Sequence, residues 1–377
     1  METFNSAFGK RQLERIPLIR NDNLRAWDAA DELLLNQLSE QGLPLAEHKI
    51  LLVNDNFAAL ACALQGHNIQ SWSDSYIAHL ALQSNFKLNG FADSTLPLPV
   101  ASTTVPQDDI DIVLLKVPKT LALLEEQLKQ LRALLKPDSL IIAGAMIKHL
   151  PGSAIQLFED ILGPTHTSLA RKKARLIFSK LDTDKEITAS AYPHCYFEKD
   201  VQLQLSNHAN VFSKEKLDIG ARFMLQQFQH LPTAGRVIDL GCGNGVLGIL
   251  AQRQLPNAEI HFVDESYMAI ASAQQNYHTE YPRQQAFFHT SNSLSQASVE
   301  SPDLIICNPP FHQQHSIGDQ IAWNMLKQGH AALNKGGAFW LVGNRNMAYH
   351  VKMQRLFGNC TTVASNKKFV VLSSVKS

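Results

Sequence analysis

Two stretches of this 377-residue chain can be laid over one another without a gap. KILLVNDNFAALACAL, residues 49–64, runs under RVIDLGCGNGVLGILA, residues 236–251. Four further pairs follow in the same order. SDSYIAHLALQSN (73–85) echoes DESYMAIASAQQN (264–276), and DIVLLKVPK (111–119) lies under DLIICNPPF (303–311). LLKPDSLIIAG (134–144) lies under LNKGGAFWLVG (333–343), and LARKKARLIFSK (169–180) resembles ASNKKFVVLSS (364–374). Repetition of this extent constrains the fold first, because each copy must be one plan that buries its own apolar faces. Any two domains built of alternating strands and helices share a rhythm, but five matches in one order favour duplication.

The second copy shows what the plan is. Arg236–Leu240 is an apolar strand, followed by a glycine turn and an apolar helix from Val246. A second strand, Ala258–Val263, ends at Asp264, and a helix covers Tyr267–Tyr277. The strand Asp303–Cys307, a helix near Ile321–Leu333 and the strand Ala338–Val342 complete it. Strands alternating with amphipathic helices predict an α/β fold with a doubly wound, largely parallel sheet. Two such sheets in tandem give two Rossmann-like domains, and the length fits two. The TDKE run and Tyr192-Pro193 mark the connection, within the polar stretch Leu181–Val201. We place the domains at residues 1–190 and 207–377, with a linker over 191–206.

Composition narrows the function classes. The 34 basic and 34 acidic residues cancel, so the chain is not a nonspecific nucleic-acid coat, and any RNA contact rests on local patches. Cys62, Cys195, Cys242, Cys307 and Cys360 are scattered and form no CxxC pair, which fits a reducing compartment and argues against zinc or a disulfide framework. The N-terminus lacks the apolar stretch and cleavage site of a signal peptide, and no apolar run has the ~20 residues of a membrane span. A cytoplasmic protein is expected.

Chemistry concentrates in the second copy. Gly241, Gly243 and Gly245 sit between a strand and a helix, where glycines let the backbone turn tightly and approach a ligand. Asp264, at the end of the next strand, can accept hydrogen bonds from the ribose hydroxyls of an adenosine moiety. Asp239 ends the first strand; a carboxylate there suits the cationic amino-acid end of S-adenosylmethionine (SAM) and would repel a pyrophosphate. The bland alternative makes both aspartates turn residues only.

The third motif is Asn308-Pro309-Pro310-Phe311 at a later strand tip. The lone pair of an exocyclic amine is delocalised into its ring, so such a group is a poor nucleophile. The Asn308 side-chain oxygen and the Pro309 carbonyl can each accept one of its N–H bonds, turning the lone pair toward an electrophilic methyl. The prolines stiffen the loop, and Phe311 offers a face on which a base stacks. A plain Pro-Pro turn would account for the prolines but not for Asn308.

The first copy lacks these features. Asn54-Asp55-Asn56 replaces the glycine turn, Ala58 stands for Gly245, and Lys116-Val117-Pro118-Lys119 replaces the Asn308 motif. Asp74 is read as the retained acid at its second strand's end. This domain is therefore a degenerate duplicate, for RNA binding or for stability, with Lys116 and Lys119 favouring phosphate.

The chain resembles the bacterial ribosomal RNA guanine-N2 methyltransferases, which carry two methyltransferase-like domains with only the second active. AWDAADELLL (26–35), KVPKTLALLE (116–125), NHANVFSKEKLDIGARF (207–223), IDLGCGNGV (238–246), NPPFHQQH (308–315) and FGNCTT (357–362) carry the likeness, which covers nearly the whole chain. It is stronger to the large-subunit enzymes than to the small-subunit ones. The resemblance implies class I SAM-dependent methyltransferase domains, SAM as donor, 23S rRNA as partner and guanine N2 as acceptor. It implies SAM contacts over Asp239–Gly245, Cys242 included, and at Asp264 and Asn292, with the Phe212 segment closing over the site.

Other residues stay open between two readings. Ser213 is equally a helix N-cap. His312 and His315 line the base or RNA cleft or face solvent; no third ligand is evident, so no metal is expected. Arg171-Lys172-Lys173 is either an RNA contact or a solvated turn. No protein partner is expected. The competing functions are a 16S rRNA enzyme, an adenine-N6 or glutamine methyltransferase, where Tyr is usual at the position of Phe311, and a non-enzymatic RNA-binding protein.

Overall fold

The computed structural model describes residues 2–18, 24–107, 109–212, 216–297, 299, 301–310 and 316–377, and only the backbone of 316–318. The chain divides into two compact units, Met1–Tyr192 and Pro193–Ser377.

The first unit opens with a hairpin of β1 (Glu2–Ser6) and β2 (Gly9–Leu13), then α1 (Ala29–Glu40). It continues through β3 (Lys49–Val53), α2 (Ala59–Ala63), β4 (Asn68–Ser73), α3 (Tyr76–Leu88), β5 (Leu98–Ala101), β6 (Ile110–Lys116) and α4 (Leu121–Arg132). It closes with β7 (Leu135–Met146), α5 (Gly152–Ile161), β8 (Thr165–Thr167) and β9 (Ala174–Ser179). The second unit repeats the order: hairpin β10 (His194–Glu198) and β11 (Leu203–Asn207), then α6 (Ile219–Leu225), β12 (Arg236–Leu240), α7 (Val246–Gln254) and β13 (Glu259–Asp264). After these come α8 (Tyr267–Glu280), β14 (Phe287–Thr290), β15 (Leu304–Cys307), α9 (Ser316–Ala332), β16 (Ala338–Asn344), α10 (Tyr349–Phe357), β17 (Thr361–Ser365) and β18 (Phe369–Val375).

Both units contain a seven-stranded sheet, ordered β5-β4-β3-β6-β7-β9-β8 and β14-β13-β12-β15-β16-β18-β17. The first five strands of each are parallel, and the penultimate strand of the order runs antiparallel to its neighbours. The gapless alignment of the repeats is also a register. Ile50 pairs with Ile112 as the aligned Val237 pairs with Leu304, and three more pairs follow in step.

Alternation along the strands explains why both faces must be covered. Val237, Phe262, Ile306 and Trp340 face a core closed by α6, α7 and α8. Ile238, Val263, Ile305 and Phe339 face another closed by α9 and α10. The first unit divides in the same way, with α1, α2 and α3 on one face and α4 and α5 on the other.

Most of the stretch expected as linker is structured. Residues 194–207 form the β10–β11 hairpin, with Leu203 and Leu205 buried in the second unit's core. They belong to that unit, as the hairpin Glu2–Leu13 belongs to the first.

Among the described residues, no helix is long and apolar enough to cross a membrane.

Candidate active site

In an open parallel sheet, ligands bind at the carboxyl ends of the strands where the strand order reverses. Here that point lies between β12 and β15, and the glycine turn and Asn308 meet there. The turn is pinned to the neighbouring strand: Gly241 and Cys242 both donate backbone N–H bonds to the Val263 carbonyl, at 2.8 and 3.1 Å. Gly241, Gly243 and Gly245 all have positive φ. A Cβ on Gly245 would stand 2.9 Å from that of Ala273, whereas one on Gly243 would meet nothing within 4 Å. That open face at Gly243 is a cradle for a ligand's approach, and the residues present fit SAM.

Asp264 ends β13 with its carboxylate held at both oxygens, by Gly243 N–H at 3.0 Å and by Ser266 N–H at 3.0 Å. A carboxylate has about four lone-pair sites, so it retains acceptor capacity for ribose hydroxyls. Asn292 follows β14 on the same sheet edge, next to Ser291, whose N–H reaches the Asp264 carbonyl. Phe212 is exposed, in the connection to α6.

Asp239 is not the exposed carboxylate that the strand-end position suggested. It is fully buried, and its Oδ2 accepts a 2.8 Å bond from Gly248 N–H in α7. Burial, then the nearby Asp264 charge, pushes its pKa up to about 8. Through Oδ2 it joins strand to helix, while its Oδ1 is buried with no hydrogen-bond partner among the described residues. Cys242 is likewise buried, and its thiol is held well above its ordinary range by burial and by the two aspartates.

Asn308 follows β15, with Pro309 buried and Pro310 exposed behind it. Its Nδ2 donates to Asp218 Oδ2 at 3.1 Å. The same oxygen N-caps α6 by accepting Ala221 N–H at 2.9 Å. The Asn308 Oδ1 is buried with no hydrogen-bond partner among the described residues. A buried acceptor left this way costs ~1–3 kcal/mol, which a bound N–H donor would recover. Phe311, His312 and His315 lie outside the described residues.

Sequence reasoning passed over Asp218, and also Asn276. Asn276 exchanges bonds with Ser206, at 2.7 and 3.0 Å, and donates to the Asn244 carbonyl at 2.9 Å, tying hairpin β10–β11 to the glycine turn. The repeat carries a signal for Asn276, which Asn85 matches although the glycines and the Asn308 motif are lost; Asp28 corresponds to Asp218 by structure, each being the N-cap of the first helix of its unit.

The corresponding place in the first unit is filled by its own side chains. Asn54, at φ 61° where Gly241 stands in the other copy, exchanges two 2.9 Å bonds with Gln127. Lys116 is 14% exposed, with its ammonium 2.8 Å from Asp28 and 2.7 Å from Asp31. It is thus committed to an internal ion cluster, which corrects its expected role at an RNA phosphate. The β4 register puts Ser73, not Asp74, at the place of Asp264. Asp74 is buried and accepts a 2.5 Å bond from Ser102. Lys119, Arg171, Lys172 and Lys173 are exposed, and Lys172 reaches Glu32 at 2.6 Å.

Comparison with known proteins agrees with this division. The family description "RLMG N-terminal domain" matches residues 1–183, and "Methyltransferase small domain" matches residues 202–373. The chain is 48% identical to ribosomal RNA large subunit methyltransferase G of Stutzerimonas stutzeri (strain A1501) and 47% to that of Ectopseudomonas mendocina (strain ymp), across all of each chain. The Erwinia tasmaniensis protein of the same name is 46% identical, over 97% of this chain and 96% of its own. Among solved structures, the T. thermophilus 16S rRNA N2 methyltransferase RsmC, in complex with AdoMet and guanosine, superposes with a TM-score of 0.75. It covers 97% of this chain and 98% of its own at 18% identity, a likeness of fold. By sequence across its whole length, the chain belongs to the ribosomal RNA large subunit methyltransferase G family.

Proposed function

We propose that the second unit transfers a methyl group from SAM to the exocyclic N2 amino group of a guanine in 23S rRNA, in the cytoplasm. The observation that carries this reading is the buried Asn308 Oδ1 at the switch point of the sheet, which has no hydrogen-bond partner among the described residues. Gly241–Gly245 and Asp264 would hold SAM, which when bound would supply an electrophilic methyl on sulfur. Asn308 Oδ1 accepts one N–H of the amine and the Pro309 carbonyl accepts the other, which turns the nitrogen lone pair outward and stabilises its growing charge. The methylated nitrogen is acidic and loses its proton to water, so no general base is needed. Phe311 would stack on the guanine, and Asn292 and Phe212 would border the cofactor.

The first unit's role in this reading is to hold RNA. Arg171 and Ala174 pair back to back, at 2.9 and 2.8 Å, across a two-residue turn in which Lys172 and Lys173 both have positive φ. This tight hairpin tip, with Arg171, Lys172 and Lys173 exposed, lies at the same sheet edge as the exposed Lys119. Such a rim suits phosphate oxygens.

Mass-spectrometric mapping of rRNA from cells with and without the protein tests the reading. A single guanine of 23S rRNA should lose the mass of one methyl group when the protein is missing. Methylation lost from 16S rRNA, from adenine or from a protein glutamine would refute it. Asn308→Ala should reduce methyl transfer by at least ~10²-fold while SAM still binds.

A further inference from the structure

We propose that Asp218 is a positioning residue that fixes which way the Asn308 carboxamide faces. The inference rests on the reading that Asn308 Oδ1 receives the amine of the base. A carboxamide has a donor end and an acceptor end of nearly equal size, and rotation by half a turn exchanges them. In the rotated state Asn308 would set its own N–H against the N–H of the substrate. A neighbour that only accepts removes the ambiguity. Asp218 is such a neighbour: its carboxylate must take the Nδ2 end, as it does at 3.1 Å, and so sends Oδ1 the other way. Its own geometry is set by the helix, because the same Oδ2 caps α6 through Ala221 N–H.

The degenerate copy supplies an independent observation. Asp28 N-caps the first helix of its unit as Asp218 does in the other, accepting Ala30 N–H two residues on at 2.8 Å where Asp218 accepts Ala221 N–H three residues on. It too reaches the residue at the strand tip: Lys116, which replaces Asn308, lies 2.8 Å from Asp28 Oδ1. The link from helix cap to strand tip is therefore part of the shared plan. In the first copy a cation holds it and Asp31 joins to close the place; in the second, a carboxamide holds it with one end left for substrate.

Three variants of the full chain test the role, assayed with SAM and large-subunit rRNA from cells lacking the protein. Asp218→Ser keeps a capping oxygen but is too short to hold Asn308. It should lower kcat by ~10–100-fold, with the SAM dissociation constant and melting temperature unchanged. Asp218→Asn can place an oxygen where Oδ2 stands and should restore kcat to within about fivefold of the parent. In an Asn308→Ala background, Asp218→Ser should add no further loss. Wild-type kcat in Asp218→Ser would overturn the proposal, as would loss of SAM binding or folding together with activity. Asp218→Asn as inactive as Asp218→Ser, or additive losses in the double variant, would overturn it too. Full activity of Asn308→Ala alone would instead refute the Asn308 reading, so the two failures are distinguishable.

Discussion

Two glycines of one turn do different work. Gly245 has φ 81° and its missing Cβ leaves room for Ala273 of α8, so Gly245→Ala forces turn and helix apart. That variant should lose ~2–4 kcal/mol of stability in denaturant titration. Gly243 has φ 54° but open space where a Cβ would go. Gly243→Ala should cost only ~1 kcal/mol of stability, yet weaken SAM at least ~10-fold by calorimetry. Equal effects of the two variants on both measurements would contradict the assignment. Asp239 carries a prediction of another kind. Its folded pKa of about 8 lies above the unfolded carboxylate value, so between them the unfolded chain has lost a proton that the folded chain keeps. Stability therefore falls as pH rises through that window and levels off above it. Asp239→Asn removes this term, so its melting temperature should decline less than the parent's from pH 5 to 9. The Asn308 motif and the glycine spacing were legible because the chemistry needs those residue types in that order. The state of Asp239 was not, because it depends on how closely α7 lies over the strand end.

Elements are bound together by asparagines that no local pattern announces. Asn276 in α8 satisfies Ser206 in β11 and the Asn244 carbonyl in the turn; Asn85 in α3 does the same for Glu14 and the Phe57 carbonyl. Both asparagines are buried, so removing either leaves backbone groups unpaired. Asn276→Ala and Asn85→Ala should each destabilise by ~2–4 kcal/mol in chemical denaturation. Only Asn276→Ala should also weaken SAM, because only its clamp reaches the glycine turn. Equal loss of SAM affinity in the two would deny that link. These clamps explain why local pattern alone does not reveal the hairpin: β10 and β11 are short, and their register is held partly by a helix seventy residues onward. Strand positions were easier to read than the fit between elements. Phe262 under α7 requires Gly248, since a Cβ there would stand 2.3 Å from its ring. In the first copy Ala61 and Ser71 hold the matching places, a paired exchange that only the shared register exposes.

At the scale of the molecule, two copies of one scaffold carry different residues at their strand ends. The chain is neutral overall, so attraction to RNA rests on where charges are left unneutralised. Lys116 is not one of them: Asp28 and Asp31 neutralise it internally, and Lys116→Met would strand Asp31 in the core, at ~3–5 kcal/mol. Lys172 is shared with Glu32, whereas Lys119, Arg171 and Lys173 make no ion pair among the described residues. If these three meet phosphates, replacing all of them with alanine releases fewer counterions on binding. The slope of log affinity against log salt should then shrink in magnitude by about 2–3, with SAM affinity unchanged. Lys116→Met is the control, since it should lower the melting temperature and leave that slope as it was. An unaltered slope in the triple variant, measured by filter binding from about 50 to 200 mM salt, would confine RNA recognition to the second unit and leave the first a stabilising role.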